Sequence, residues 1–143
     1  MTFLSTPDLR LKLDVERIED NVQLVRMGQG ANDLLLRACI REDVAGIVVE
    51  ATAGGNVNLP YYHAIGDAID SGIPVVVTTR VSAGSPHLGK GYIGSFMSLL
   101  AKGAISGGYL SGLKARILLM VALGHSRERS DIARIFAKAG GAA

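Results

Sequence analysis

The densest run of apolar positions is Gly46-Ile-Val-Val, with Val44 just upstream, and it does not alternate with polar residues. That pattern predicts a strand covered on both faces. It stops after Glu50, where Ala51-Thr-Ala-Gly-Gly-Asn56 allows a sharp turn before Pro60 restarts a helix. Ile73-Pro-Val-Val-Val-Thr-Thr79 predicts a second buried strand, with its proline tolerable only at the start. Asn21 to Met27 alternates more loosely and ends in Gly28-Gln-Gly30, as a first strand and its turn would, and Gly103-Ala-Ile-Ser106 adds a short one.

Between these runs the period lengthens. A helix follows a cap at Asn32, with Asp33 favourable at its positive end, and Leu35/Cys39 and Leu36/Ile40 facing inward while Arg37 and Arg41 face out. Pro60 to Asp70 is helical, with Tyr61, Ile65, Ala68 and Ile69 on one side and Ser71-Gly72 as its close. Another helix is expected from Tyr92 to Ala101. Ser111 caps the next, with Leu113, Ile117, Met120 and Val121 on one stripe and Gly124 as its stop. A last helix follows Ser126 or Ser130 and carries Ile132, Ile135 and Phe136 inward. Short links joining strands through helices favour parallel pairing with right-handed crossovers. The expected fold is therefore a three-layer α/β/α domain, Rossmann-like or flavodoxin-like, with a parallel sheet of about four strands. Residues 1–20 have a break at Pro7, no clear period and a turn of helix near Val15 to Ile18 at most, so they are expected to form an arm. The domain is expected to span 21–139, and 140–143 a tail.

With 143 residues the chain suits one domain with a real core. Its 48% hydrophobic and 20% charged residues fit a globular protein. The net charge of +2 comes from scattered residues without a basic stripe or aromatic platform, so no nucleic-acid partner is expected. The apolar run Ile117 to Leu123 is too short to span a membrane, and no signal segment is visible. A soluble, cytoplasmic protein is expected. The single cysteine, Cys39, reads as an inert buried thiol.

Candidate chemistry is sparse. Gly84-Ser-Pro-His-Leu-Gly-Lys-Gly91 matches seven places of a phosphate-binding loop, but Gly91 stands where a Ser or Thr should hold magnesium, and Pro86 removes a backbone donor. A plain loop carrying Lys90 is the better reading. Thr52-Ala-Gly-Gly-Asn56 suits either a ligand cradle, with Asn56 as donor and acceptor, or a turn that simply needs glycine; both readings stand. His63, His87 and His125 lie in separate segments without a second ligand at metal spacing, so no metal site is expected. Glu50 could be a base with a raised pKa or the partner of an arginine. Met97 and Met120 read as core filler. Lys114 and Arg116 read as a solvated flank or an interface contact.

Taken in order, Asn21-Val-Gln-Leu-Val, Gly46-Ile-Val-Val-Glu, Gly54-Gly-Asn56, Gly72-Ile-Pro-Val-Val-Val-Thr-Thr-Arg-Val81, Gly84, Tyr92, Gly103-Ala-Ile and Leu113-Lys-Ala-Arg-Ile-Leu-Leu-Met-Val-Ala-Leu123 resemble the C-terminal domain of bacterial-type L-asparaginases and glutaminases. The series covers Leu13 to Phe136. The resemblance implies a four-stranded parallel α/β unit in an enzyme that hydrolyses the side-chain amide of asparagine or glutamine. Two threonines of the larger N-terminal domain carry that chemistry, so that catalytic domain is an implied partner, and no catalytic residue, metal or cofactor is assigned here. Thr52 sits at the wrong place in the series to be one of those threonines.

What the resemblance does carry over is Asn56, with Gly55 beside it, as substrate-binding residues. It matches the asparagine that a neighbouring subunit sends toward the substrate, which also implies a homo-oligomer and a small amino-acid ligand. Ala51 and Ala53 stand where glycines are common, and the loop from Gly84 to Tyr92 lacks the carboxylate that some relatives use there for the substrate's amino group. Arg80, Lys114 and Arg116 fall at recurrent family positions and read as structural. The competing expectation is a free-standing α/β module that binds an amino acid or phosphate in a regulatory role.

Overall fold

The computed structural model describes residues 11–141. The first ten residues of the arm and the last two of the tail lie outside the described residues. The chain runs β1 (Val22–Arg26), α1 (Leu34–Arg41), β2 (Gly46–Ala51), α2 (Leu59–Asp70), β3 (Val75–Thr79), α3 (Phe96–Lys102), β4 (Ile105–Ser106), α4 (Gly112–His125) and α5 (Arg129–Gly140). All pairings are parallel and the strand order is β1-β2-β3-β4, with Val48 opposite both Leu24 and Val76.

The uninterrupted apolar runs make this a three-layer domain. Side chains of successive strand residues point to opposite faces, so a strand with helices above and below must be apolar at every position. Ile47 and Val49 join Val25, Val75 and Val77 beneath α1, α2 and α3. Val48 joins Val22, Val76 and Ile105 beneath α4 and α5. Burying each of these side chains is worth about 1.5–3 kcal/mol. Because the strands follow one another in sequence, three crossovers of one hand place α1, α2 and α3 on a single face. α4 and α5 cover the other. The strand order nowhere reverses, so the four strands contain none of the crevices that form where it does.

Several expectations change. α4 turns Leu113 and Ile117 outward, 69% and 56% exposed, while Met120 of the expected stripe is buried together with Ala115, Leu119, Ala122 and Leu123. The helix carries apolar residues on every side, and the stripe with small residues wins because it lets the backbone approach the sheet. A Cβ at Gly46 would crowd Leu119, and one at Gly112 would collide with the Glu50 carboxylate. Gly124 does not stop α4; it lies inside the helix, where a Cβ would meet the Arg17 carbonyl of the arm. α3 starts at Phe96, not Tyr92, because Gly94 takes φ +91° and Ser95 caps the helix by accepting from the Ser98 N–H. That leaves Tyr92, Ile93 and Met97 exposed. On α1, Leu36 and Cys39 are buried but Leu35 is exposed.

No helix forms at Val15 to Ile18. This stretch runs along α4, with the Glu19 N–H donating to the Met120 carbonyl at 3.0 Å and His125 Nδ1 3.1 Å from the Asp14 carbonyl. Among the described residues no helix is long and apolar enough to cross a membrane.

Candidate functional site

The turn after β2 closes on itself. The Thr52 N–H and hydroxyl both donate to the Asn56 carbonyl, at 3.0 and 2.8 Å, while the Gly55 and Asn56 N–H groups both donate to the Thr52 carbonyl at 2.9 Å. Ala53 is held at φ +43°, in the left-handed region that a residue with a Cβ disfavours by about 1–2 kcal/mol. Its carbonyl accepts from the Thr79 hydroxyl at 2.5 Å, which ties the strained residue to the end of β3. Alanine in place of glycine thus survives through this anchorage.

Gly54 and Gly55 serve close approach. A Cβ at Gly54 would collide with the His87 ring, and one at Gly55 with Pro86 and Phe96. The His87 N–H donates to the Gly54 carbonyl at 3.1 Å, so the loop after β3 is seated on the turn after β2. Further ties complete a rim along the carboxyl edge of the sheet. The Val57 N–H donates to the Gly94 carbonyl at 2.8 Å, and Arg80 Nη1 to the Met27 carbonyl at 3.2 Å. Asn58 caps α2 by accepting from the Tyr61 N–H at 3.1 Å and donates Nδ2 to the Ala31 carbonyl at 2.7 Å. Three loops far apart in sequence are thereby fixed to one another.

Of the two site residues read from the sequence, Gly55 is buried, and it shapes the turn with φ +97°. Asn56 is half-buried. Its Oδ1 accepts from the Phe96 N–H at 3.3 Å, which fixes the amide orientation because an N–H can only donate. Its Nδ2 donors have no partner among the described residues. The structure therefore brings Asn56, His87, Thr52 and Thr79 together at one edge. The docking of Pro86-His87 on the glycine pair was not read from the sequence; the pair itself, two adjacent positions open to a neighbour, is the signal that could have suggested it. Asn58 was also missed, although an asparagine two residues before a helix-opening proline fits a capping position.

The remaining candidates resolve otherwise. Glu50 is the partner of an arginine: its buried carboxylate accepts from Arg26 Nε at 2.5 Å, and that carboxylate raises the Arg26 pKa by hydrogen bonding. Gly84 to Gly91 does not lead straight into a helix, since α3 begins five residues later, so the phosphate-loop geometry is absent. Arg116 Nε donates to the Val22 carbonyl at 2.7 Å and Lys114 is exposed. Cys39 is buried, and desolvation raises its thiol pKa. Among the described residues no group of three or more His, Cys, Asp or Glu is placed to hold a metal ion. A concavity of about 510 Å³ lies between Leu11, Leu13 and the outer side of α4, away from Asn56.

The chain is 32% identical over 121 residues to an L-asparaginase of Bacillus licheniformis, covering 82% of this chain and 38% of that protein. A probable L-asparaginase of Deinococcus radiodurans is 38% identical over 95 residues, or 66% of this chain and 29% of the relative. A glutamyl-tRNA(Gln) amidotransferase component of Halobacterium salinarum is 34% identical over 115 residues, or 80% and 26%. The chain thus spans between a quarter and two-fifths of the length of these relatives. The model of the glutaminase/asparaginase C-terminal domain matches residues 21–136. By that match and these identities, the chain belongs to the glutaminase/asparaginase C-terminal domain family, of asparaginase-like amidohydrolases.

Proposed function

We propose that this domain supplies one wall of a composite site for hydrolysis of the side-chain amide of asparagine or glutamine, with Asn56 orienting the substrate and Gly55 shaping its seat. The observation that carries the reading is the half-used amide of Asn56: Oδ1 is fixed by Phe96 while Nδ2 is left to donate. Such a group orients a ligand; it does not make bonds. The rim is assigned no nucleophile. Thr52 spends its hydroxyl holding the turn, and Thr79 spends its own on the Ala53 carbonyl.

The nucleophile is assigned to an N-terminal catalytic domain of this family. A sheet whose strand order never reverses favours a site completed by another unit. The outward Leu113 and Ile117 on α4 support pairing of subunits into a homo-oligomer. In this reading the domain is 21–139, with an arm before it and a short tail after it, and works in the cytoplasm.

Ammonia release from asparagine and glutamine tests the proposal. The chain alone is expected to be inactive, and the chain joined to an N-terminal catalytic domain of the family active. Turnover by the isolated chain would refute the division of labour, and a well-folded joined protein without amidase activity would refute the composite site.

A further inference from the structure

The 52–56 turn bonds its Thr52, Gly55 and Asn56 N–H groups internally and leaves one carbonyl, that of Gly55, against two N–H groups without a partner among the described residues. Four of the five carbonyl oxygens of the 52–56 turn are already bonded: Thr52 to Gly55 and Asn56 N–H, Ala53 to Thr79, Gly54 to His87, and Asn56 to Thr52. Asn56 Oδ1 is bonded to Phe96, and the nearby Met27 and Ala31 carbonyls to Arg80 and Asn58. The two N–H groups are those of Ala53 and Gly54, and Asn56 Nδ2 has no hydrogen-bond partner among the described residues either. Successive free N–H groups flanking a left-handed residue favour an anion.

The charges agree. In the loops at this edge, 27–33, 52–58, 80–95 and 107–111, the only ionised side chains are Asp33, Arg80 and Lys90, with His87 exposed on the turn. Asp33 is held by Arg37 at 2.8 Å, and Glu50 at the end of β2 by Arg26. No carboxylate on these loops is left to meet a cation, while Lys90 is exposed and Arg80 stands at the end of β3.

We propose that this rim reads the carboxylate of the ligand, not its ammonium group, through Asn56 Nδ2 and the Ala53 and Gly54 N–H groups, with Arg80 and Lys90 supplying positive charge and His87 a polar ring beside them. This rests on the composite-site reading and sharpens it. The amino group of an amino-acid substrate would then have to be recognised by residues of another unit, and a ligand lacking one would still seat on this wall.

The measurement is an NMR titration of the full 143-residue chain, ¹⁵N-labelled, with two probes that each keep the side-chain amide of asparagine. Succinamate carries a carboxylate and no ammonium; 3-aminopropanamide carries an ammonium and no carboxylate. Succinamate is expected to give saturable shifts at Ala53, Gly54 and the Asn56 side-chain NH₂, and 3-aminopropanamide none there at equal concentration. Asn56→Asp keeps an oxygen for the Phe96 N–H but removes the donors and adds a negative charge, and should weaken succinamate binding about tenfold or more. Lys90→Gln, an exposed change that leaves the turn intact, should weaken it severalfold. Equal or stronger shifts from 3-aminopropanamide, shifts from succinamate that do not saturate at these residues, or unchanged affinity in both variants would overturn the proposal. Because no catalytic domain is present, such a failure is distinct from failure of the joined protein to hydrolyse amides.

Discussion

Asn56 and Asn58 are two residues apart on the same turn, yet the structure gives them different work, and alanine at each separates the two roles. The Asn58 side chain makes two partly buried hydrogen bonds, to the Tyr61 N–H at 3.1 Å and the Ala31 carbonyl at 2.7 Å. Losing the helix cap is worth about 1 kcal/mol. Losing the bond to Ala31, which leaves that carbonyl short of a partner and loosens the loop before α1, is worth about 1 kcal/mol more. Asn58→Ala should therefore cost about 2 kcal/mol, or roughly 6 °C in Tm for a domain of this size.

Asn56→Ala loses a single long bond, from the Phe96 N–H at 3.3 Å, and should cost about 0.5 kcal/mol. Urea unfolding followed by circular dichroism, with thermal melts alongside, measures both. Amide exchange in residues 27–33 should quicken in Asn58→Ala and stay unchanged in Asn56→Ala. Equal losses of stability in the two variants would refute the reasoning, since Asn56 would then be a structural residue with no capacity to spare for a ligand. So would a loss below about 0.5 kcal/mol in Asn58→Ala.

Two further outcomes follow from packing and charge. Leu119→Ala, at a fully buried position on the sheet side of α4, should cost about 2–5 kcal/mol, whereas Ile117→Ser on the outer side should stay within about 0.5 kcal/mol in the isolated chain; chemical denaturation of both variants decides between this orientation and the stripe that includes Ile117. The Asn21 N–H and then Arg127 hold the Glu19 carboxyl below its ordinary 4.5, and Arg37 holds Asp33 below 3.8. Each favours the folded state fully above its ordinary value and loses that effect as pH falls through its lowered one, so urea midpoints should hold down to about pH 5 and decline below about pH 4, less steeply in Glu19→Gln.

How far the fold could be read from the sequence depended on how many faces an element buries. β2 and β3 are covered on both, so every position had to be apolar and the runs were unmistakable. α4 carries apolar residues on every side, and its period alone could not choose between the Ile117 stripe and the Leu119 stripe; Gly46 of β2 beneath the helix and Gly112 in the helix's own first turn made the choice by admitting close approach. The start of α3 was hidden because Tyr92 and Ile93 look like helix residues, while the break comes from the backbone of Gly94. At the candidate site, the turn was legible from turn chemistry, while the substrate-facing role of Asn56 comes from the ordered resemblance and is a proposal. The seat of His87 on Gly54 and the bond from Phe96 to Asn56 were not legible, because they join residues 33 and 40 positions apart and leave no local pattern.

The central claim is that Asn56 faces a substrate across a composite site. Its most direct test is steady-state ammonia release from asparagine by the chain joined to an N-terminal catalytic domain, comparing Asn56→Ala with the unaltered protein at matched stability. A fall in kcat/KM of about tenfold or more with little change in Tm is the predicted result. An unchanged kcat/KM in an active, folded joined enzyme would contradict it.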